Sequence, residues 1–278
     1  MKLEGKVAIV TAGGRGIGRG IALCLAEEGA DIVVNSFHQE TTNKVADEIK
    51  AMGRKVLTVA GDITETDIML KTIEDTINTF GKIDILVNNV GGGRMAPENI
   101  GSGPLDKEIA LWNGTYHQNI RATVLMCSAV APYFIKQNSG KIVNIASIAG
   151  RYPFTGQWPA AYGSMKAGLI RYTQGLANKL GQHNINANCV CPGIVYTAAW
   201  ERGSKQMVDN TPELKGISPK EWFDLRASGQ YPQRGPYPAL RRAQTEEDMG
   251  RAVVFLVSED AKNITGQALN VDGGMVMS

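Results

Sequence analysis

The chain has 278 residues, a formal net charge of +2 and 43 % hydrophobic residues. Its basic residues are scattered, so it lacks the electrostatic footprint of a protein that binds nucleic acid or an anionic membrane. No apolar run reaches the roughly 18 residues that a membrane-spanning helix needs, and charges stand in residues 1–6 where a signal peptide would be apolar. We therefore expect a cytoplasmic protein with a small-molecule partner.

Short apolar runs typical of strands alternate with longer amphipathic segments typical of helices. Strands are predicted at 6–11, 31–35, 55–60, 83–88, 141–145, 185–190 and 267–271. Helices are predicted at 16–28, 41–52, 65–80, within 106–138, at 160–180 and at 246–257. Several strands are apolar on both faces, as in a parallel sheet covered on both sides. The pattern predicts an α/β fold, a doubly wound parallel sheet of about seven strands with helices on both faces.

This length fits a single domain that spans residues 1–278. Residues 197–240 interrupt the alternation and carry several prolines together with Trp200, Trp222, Phe223, Tyr231 and Tyr237. A solvated linker would not need these aromatic side chains, so the segment is interpreted as an insertion that folds over something apolar. The four cysteines form no Cys-x-x-Cys pair, and no metal site is expected.

A glycine-rich turn, Thr11-Ala12-Gly13-Gly14-Arg15-Gly16-Ile17-Gly18, follows the first predicted strand and precedes a predicted helix. Glycine lets the backbone approach a pyrophosphate closely, and the start of a helix favours negative charge. A dinucleotide site is one interpretation. A tight turn that uses glycine only for its backbone freedom is the other, and the turn alone leaves the two about even.

Tyr162 and Lys166 lie four residues apart at the start of a predicted helix, hence on one face. A free tyrosine titrates near pH 10, so a tyrosine that exchanges protons at neutral pH needs cations nearby. An exposed pair on an amphipathic helix is the commoner explanation of this spacing alone. Ser147, which follows the fifth predicted strand fifteen residues before the tyrosine, favours a catalytic role.

Taken together, these motifs resemble the short-chain dehydrogenases/reductases. Thr11, Gly16 and Gly18 match the family's Thr-Gly-x-x-x-Gly-x-Gly turn, with Ala12 where its first glycine usually stands, so we expect a negative φ at position 12. Residues 88–91 resemble its Asn-Asn-Ala-Gly motif, and residues 192–197 its Pro-Gly-x-x-x-Thr segment. The resemblance implies a Rossmann-type fold, and the chain is similar to 3-oxoacyl-[acyl-carrier-protein] reductase-like and glucose or cyclic-alcohol dehydrogenase-like members.

The resemblance implies a catalytic set of Asn119, Ser147, Tyr162 and Lys166. Ser147 would hold the substrate oxygen, Tyr162 would exchange its proton, and Lys166 would lower the tyrosine pKa. Asn119 would carry a water, although a mid-helix asparagine can also face solvent. The implied activity is hydride transfer between a nicotinamide and a ketone or secondary alcohol. A catalytically silent NADP-sensing or interaction subunit is the alternative.

Cofactor contacts are carried over from the family motifs position by position, while Asn88 is expected to be structural. The predicted cofactor-binding residues are Thr11, Gly13, Arg15, Gly16, Ile17, Gly18, Ser36, His38, Asp62, Ile63, Asn89, Gly91, Tyr162, Lys166, Pro192, Gly193, Val195 and Thr197.

The end of the second predicted strand bears on which nicotinamide binds. An acid there usually holds a free ribose, whereas a 2′-phosphate needs the acid to be absent and a base nearby. Ser36 occupies the position of the acid, and Arg15 can reach the same region. Phe37 stands where many NADP-dependent members carry arginine. We expect NADP(H), with NAD(H) as the alternative.

Aromatic residues of the insertion, with Tyr152, Pro153, Phe154 and Trp158, favour a partly apolar substrate, cyclic or aromatic. The arginines at 234, 241 and 242 could instead meet a carboxylate or the phosphate of a thioester carrier, or could simply be solvated. Family resemblance also implies a homotetramer or dimer that forms through the helices containing Asn119 and Tyr162.

Overall fold

The computed structural model describes residues 1–92, 104–153, 160–231 and 237–277. Seven strands form one parallel sheet in the order β3-β2-β1-β4-β5-β6-β7. The predicted doubly wound sheet is therefore confirmed. The strands are β1 Val7–Val10, β2 Asp31–Ser36, β3 Val56–Ala60, β4 Ile85–Asn88, β5 Gly140–Ile145, β6 Ile185–Pro192 and β7 Ala268–Val271.

Helices follow the strands as the sequence predicts, with two differences. The stretch 106–138 is not one helix: α4 and α5 are joined by a π-helical turn, His117–Arg121. In addition, α7 and α8 lie in the 197–240 insertion, where the pattern predicts none. The α-helices are α1 Gly16–Glu27, α2 Gln39–Ala51, α3 Thr66–Phe80, α4 Leu105–Tyr116, α5 Ala122–Gln137, α6 Ala160–Leu180, α7 Ala198–Asn210, α8 Pro219–Ser228 and α9 Glu246–Val257.

Apolar side chains on both faces of the sheet explain why helices cover both sides. In β1, Ala8 and Val10 belong to a core with α1 and α9, while Ile9 belongs to a second core with α5. Successive strand residues point to opposite faces, so a strand that is apolar throughout must be covered twice. Within the described ranges, no helix is both long and apolar enough to span a membrane.

A row of polar side chains crosses the middle of the sheet. Asn88 Nδ2 of β4 donates to Asn144 Oδ1 of β5 at 2.9 Å, and Asn144 Nδ2 donates to Thr173 Oγ1 of α6 at 2.8 Å. The thiol of Cys189 in β6 donates to the same threonine oxygen at 3.1 Å. All four residues are buried. Asn88 is thus part of the sheet's interior, as expected of a structural residue.

The insertion has its own aromatic core. Phe223 of α8 lies edge-to-face with Tyr196 and Trp200, at centroid separations of 4.9 and 5.4 Å. The guanidinium of Arg226 lies 4.9 Å from the Trp200 ring and 5.7 Å from the Trp222 ring. These side chains join a cluster that continues to Ile148 and Leu169, beside the fifth strand. Helices α7 and α8 are therefore packed onto the side of the sheet that carries Ile148 and Leu169.

Candidate active site

The glycine-rich turn is held by side chains from two neighbouring strand ends. Thr11 Oγ1 accepts hydrogen bonds from the backbone N–H groups of Asn89 and Val90, at 3.0 and 3.1 Å. Asn89 Nδ2 donates to the carbonyl oxygens of Thr11 and Ala12, both at 3.2 Å. The Asn89 side chain therefore fixes the turn, which is a different use from the cofactor contact that the motif predicts.

Ala12 departs from the sequence-based expectation. Its φ is +51°, in the left-handed region, so the expected negative φ is wrong. Asn35 Oδ1 accepts from the Ala12 N–H at 3.4 Å, and Asn35 Nδ2 donates to the carbonyls of Val59 and Gly61. Tertiary hydrogen bonds thus hold alanine in a conformation that costs about 1–2 kcal/mol. Sequence reasoning missed Asn35, whose only signal is a buried-strand position with a polar side chain.

The end of β2 lies against the turn. A Cβ at Gly14 would stand within 2.4 Å of Ser36 Oγ, which is itself 3.3 Å from Thr41 Oγ1. Arg15 and His38 are exposed on either side. The first carboxylate after β2 is that of Glu40, which accepts from Lys44 Nζ at 2.8 Å. The hydroxyl groups of Ser36 and Thr41 therefore lie beside the turn at the end of β2.

Ser147 and Tyr162 are brought together by a short 3₁₀ turn, Ile148–Gly150, that packs on α6. The approach requires glycine, because a Cβ at Gly150 would lie 2.6 Å from the backbone carbon of Lys166. Ser147 Oγ accepts from the N–H of Ala149 at 3.1 Å, and Ser147 hydrogen-bonds with the Tyr162 hydroxyl. The predicted serine–tyrosine pair is thus assembled at the end of β5.

The electrostatics of the pair differ from the expectation. Burial raises the pKa of Tyr162, while the hydrogen bond with Ser147 opposes that rise. Lys166 Nζ lies 5.7 Å from the tyrosine ring centroid. Burial lowers the pKa of Lys166 to about 8. The net effect is a raised tyrosine pKa, so a positive charge brought by a bound ligand would favour the phenolate.

Asn119 lies in the π-helical turn and is fully buried, which excludes the solvent-facing alternative. Its Nδ2 donates to the carbonyl of Gly92 at 3.0 Å and its Oδ1 accepts from the Gly92 N–H at 3.2 Å. A Cβ at Gly91 would lie 2.7 Å from Asn119 Oδ1 and 2.9 Å from Lys166 Nζ. Lys166 Nζ also donates to the Ile145 carbonyl at 2.9 Å. Asn119 and Lys166 therefore meet beside Gly91.

The remaining predicted cofactor residues fall into two groups. Thr197 lies near the turn, its Cγ2 being 3.6 Å from where a Gly16 Cβ would stand. Pro192 is the last residue of β6, and Gly193, which follows it, donates its N–H to the carbonyl of Val271 at 3.2 Å. By contrast, the side chains of Ile63 and Val195 are buried, and Asp62 Oδ1 accepts from the N–H of Thr64 at 2.9 Å. Ile63 and Val195 could therefore meet a ligand through their backbone, whereas the partly buried Asp62 keeps a carboxylate oxygen that makes no hydrogen bond to Thr64.

The arginines in the insertion and just after it are not equivalent. Arg241 and Arg242 are both exposed, and the guanidinium of Arg241, whose φ is +53°, lies 5.1 Å from the Tyr237 ring centroid. Arg226, which sequence reasoning did not single out, is the half-buried one, and burial lowers its pKa. Phe154, Trp158 and Arg234 lie outside the described residues.

Comparison with known proteins gives the class of the chain. Residues 6–207 match the family described as short chain dehydrogenase, and residues 229–276 match the family described as Enoyl-(Acyl carrier protein) reductase. The chain belongs to the short-chain dehydrogenase family. It is an oxidoreductase of the kind that acts on alcohol and carbonyl groups.

Similar proteins include a cyclohexanol dehydrogenase of Rhodococcus sp. (strain TK6), 31 % identical over 100 % of this chain and 98 % of the relative. A (2S)-[(R)-hydroxy(phenyl)methyl]succinyl-CoA dehydrogenase subunit of Thauera aromatica is 34 % identical, covering 99 % and 98 %. Among solved structures, L-sorbose reductase from Gluconobacter frateurii with NADPH and L-sorbose aligns with a TM-score of 0.87 and 29 % identity over 100 % of both chains. A 7α-hydroxysteroid dehydrogenase with NADH aligns at 0.82 and 31 %, covering 100 % of this chain and 96 % of that one.

Proposed function

We propose that this protein transfers hydride between a nicotinamide cofactor and a ketone or secondary alcohol, with Ser147, Tyr162, Lys166 and Asn119 as its catalytic set. The observation that carries the proposal is that two pairs of side chains, Ser147 with Tyr162 and Asn119 with Lys166, lie close together at one end of the sheet. Ser147 hydrogen-bonds with Tyr162, and Lys166 Nζ and Asn119 Oδ1 both lie within 3 Å of where a Gly91 Cβ would stand. No packing requirement explains a nearly inaccessible lysine at this place, because burying a cation is costly.

The described residues fit such a cofactor. The start of α1 offers free N–H groups to a pyrophosphate, and Gly91 leaves room beside Lys166 that a side chain would fill. When bound, the nicotinamide supplies or accepts the hydride. Tyr162 would donate a proton to the substrate oxygen while Ser147 holds that oxygen. Lys166 would bind and orient the cofactor, and Asn119 would hold a water through which protons reach solvent.

NADPH is the preferred cofactor in this proposal, with NADH as the alternative. The support is the strand end of β2, where Ser36 replaces an acid, Arg15 is exposed, and Glu40 is engaged by Lys44. A 2′-phosphate needs nearby donors and cations and the absence of a carboxylate. Among the similar structures, the L-sorbose reductase holds NADPH and the 7α-hydroxysteroid dehydrogenase holds NADH.

Cofactor binding is tested by titration of the protein with NADPH and with NADH, following nicotinamide fluorescence. NADPH is expected to bind more tightly, and Ser36→Asp is expected to reverse the preference. The matched control is Asn43→Asp, which adds the same charge on the exposed side of α2. Tighter binding of NADH to the wild type would overturn the NADPH preference. Failure of both cofactors to bind would overturn the proposed activity.

The proposed substrate is a partly apolar ketone or alcohol, cyclic or aromatic. Its support is the aromatic core of the insertion, which is continuous with the cluster around Ile148 and Tyr162. The similarity to a cyclohexanol dehydrogenase agrees with it. A β-keto or β-hydroxy thioester is the second candidate, favoured by similarity to the 3-oxoacyl-[acyl-carrier-protein] reductase of Thermotoga maritima, 30 % identical over 100 % of both chains. Steady-state rates on cyclohexanone, an aryl ketone and a β-keto thioester distinguish the two.

A homo-oligomer is also proposed. Leu105, Ile109, Trp112 and Tyr116 form an exposed apolar stripe at helical spacing along α4. Exposed apolar stripes of this kind on enzymes mark contact surfaces, and a second copy of the chain is the partner that the family resemblance favours. Sedimentation equilibrium of wild type and Trp112→Glu tests the proposal, the variant being expected to dissociate. A cytoplasmic location stays a prediction from the sequence.

A further inference from the structure

Three helices begin around Gly16. Helix α1 starts at Gly16 itself, α7 starts after its N-cap Thr197, and α9 starts at Glu246. A Cβ at Gly16 would lie 3.6 Å from Thr197 Cγ2 and 3.9 Å from Glu246 Oε1. Each helix start carries partial positive charge, and those of α1 and α7 have no side-chain cap whereas Thr245 caps α9, so their junction favours an anion more strongly than one helix alone.

The chain places an anion of its own at this junction. Glu246 is half-buried and is the first residue of α9, where its own helix favours a negative charge. Burial raises the pKa of its carboxyl, and Arg19, 3.6 Å away, favours the ionised form. Arg19 also pairs with Glu48 of α2. The next residue, Glu247, instead accepts from Arg251 at 3.0 Å and is exposed.

We propose that Glu246 is an affinity-determining residue whose carboxylate competes with the cofactor's pyrophosphate for the junction of the three helix starts. The inference rests on the proposed function, because the turn at Gly16 is where the pyrophosphate would lie. In the empty protein, Glu246 supplies the negative charge that the helix starts favour. When the cofactor binds, the carboxylate and the pyrophosphate share the positive potential of the helix starts. Cofactor binding is therefore weaker than the turn alone would allow, and cofactor release is faster.

The test is Glu246→Gln, compared with the matched control Glu247→Gln, which removes the same charge from the same helical turn. Fluorescence titration with NADPH and NADH should give dissociation constants for both cofactors that are lower in Glu246→Gln by on the order of tenfold. Glu247→Gln should stay within about twofold of wild type. Glu246→Ala, which also lacks the carboxylate, should reproduce the gain if glutamine is poorly tolerated.

A second readout does not use a nicotinamide. Inorganic pyrophosphate should raise the melting temperature of Glu246→Gln more than that of wild type or Glu247→Gln. Equal dissociation constants in Glu246→Gln and Glu247→Gln would overturn this inference and leave the proposed function standing. Weaker binding in Glu246→Gln would also overturn it, since the carboxylate would then be a cofactor ligand. A wild type that binds no nicotinamide would overturn the proposed function itself.

Discussion

Two regions of the molecule meet at the same sheet edge and are held by different forces. The region around the glycine-rich turn and the proposed catalytic residues is held by directional hydrogen bonds, such as those of Thr11, Asn35 and Asn89. The insertion is held by edge-to-face aromatic rings around Phe223 and by the guanidinium of Arg226 over the Trp200 ring. Hydrogen bonds fix the positions of atoms within tenths of an ångström. Apolar packing mainly constrains the total side-chain volume, so it tolerates the exchange of one apolar side chain for another of similar volume.

This difference indicates in which part of the protein substitutions can change the substrate specificity without loss of the fold. Loss of one buried hydrogen-bond partner near the turn leaves the other group unsatisfied, at a cost of about 1–3 kcal/mol. Exchange of one apolar side chain for another of similar volume in the insertion costs less than about 1.5 kcal/mol. The cofactor region is therefore expected to resist substitution, and the insertion to accept it. Four measurements test that contrast.

The largest expected effect is on chemistry. Tyr162→Phe should lower kcat on the order of a thousandfold, because it removes the proton-exchanging hydroxyl. The dissociation constant for NADPH should change little, since the ring and its packing stay. Tyr172→Phe, on the same helix and outside the catalytic pairs, serves as the control. Turnover that survives in Tyr162→Phe would rule out the proposed role of the tyrosine.

The next effect separates the two regions by stability. Trp222 is buried at 4 % exposure, so Trp222→Ala should lower the free energy of unfolding by about 3–5 kcal/mol. The same substitution should raise the KM for the substrate and leave the NADPH dissociation constant unchanged. Phe255→Ala removes an aromatic ring that is 39 % exposed and should cost less than about 1 kcal/mol. A parallel loss of NADPH affinity in Trp222→Ala would show that the two regions are coupled.

A third measurement uses pH to probe the catalytic region. Burial lowers the pKa of Lys166 from 10.5 to about 8, so between these values the unfolded chain binds more protons than the folded one. Stability relative to Lys166→Met should therefore rise as the pH increases from about 8 to about 10.5, by at most about 3 kcal/mol. Urea unfolding over this range measures the difference. The exposed Lys179→Met on the same helix should show no such slope, and a flat difference for Lys166→Met would contradict the lowered pKa.

The smallest effect concerns the turn. Ala12→Gly should raise the free energy of unfolding by up to about 1 kcal/mol, because glycine adopts a φ of +51° without steric cost. Ala198→Gly, at the helical start of α7, should have the opposite sign, a loss of about 0.5–1 kcal/mol. Thermal unfolding of both variants measures the two changes in the free energy of unfolding. A destabilising Ala12→Gly would mean that the methyl group packs more favourably than its backbone is strained.

The sequence predicts the sheet well because its strands are apolar on both faces and its helices are amphipathic. It also predicts a catalytic set from spacing that resembles a known family, and the structure places Ser147 beside Tyr162 and Asn119 beside Lys166. It does not locate the π-helical turn, since one extra residue in a helical turn leaves little trace in the apolar periodicity. That turn is what directs Asn119 into the interior.

Two other misses have different causes. The conformation of Ala12 depends on Asn35 and Asn89, which are distant in the chain, so local propensity suggests the wrong sign of φ. Helix α8, in contrast, carries a visible start signal: Ser218 is the N-cap, Pro219 is the first helical residue, and Glu221 completes the capping box. Because the prolines of the segment are typical of irregular structure, its composition predicts no helix there despite this signal.

The buried polar row of Asn88, Asn144, Thr173 and Cys189 has a consequence for how the sheet assembles. A shift of β5 by one residue against β4 would turn Asn144 to the opposite face and leave amide groups unsatisfied in an apolar interior. Wrong strand alignments would thus carry a penalty that an all-apolar interior would not impose. The row therefore favours one alignment of the neighbouring strands β4, β5 and β6 while the chain folds.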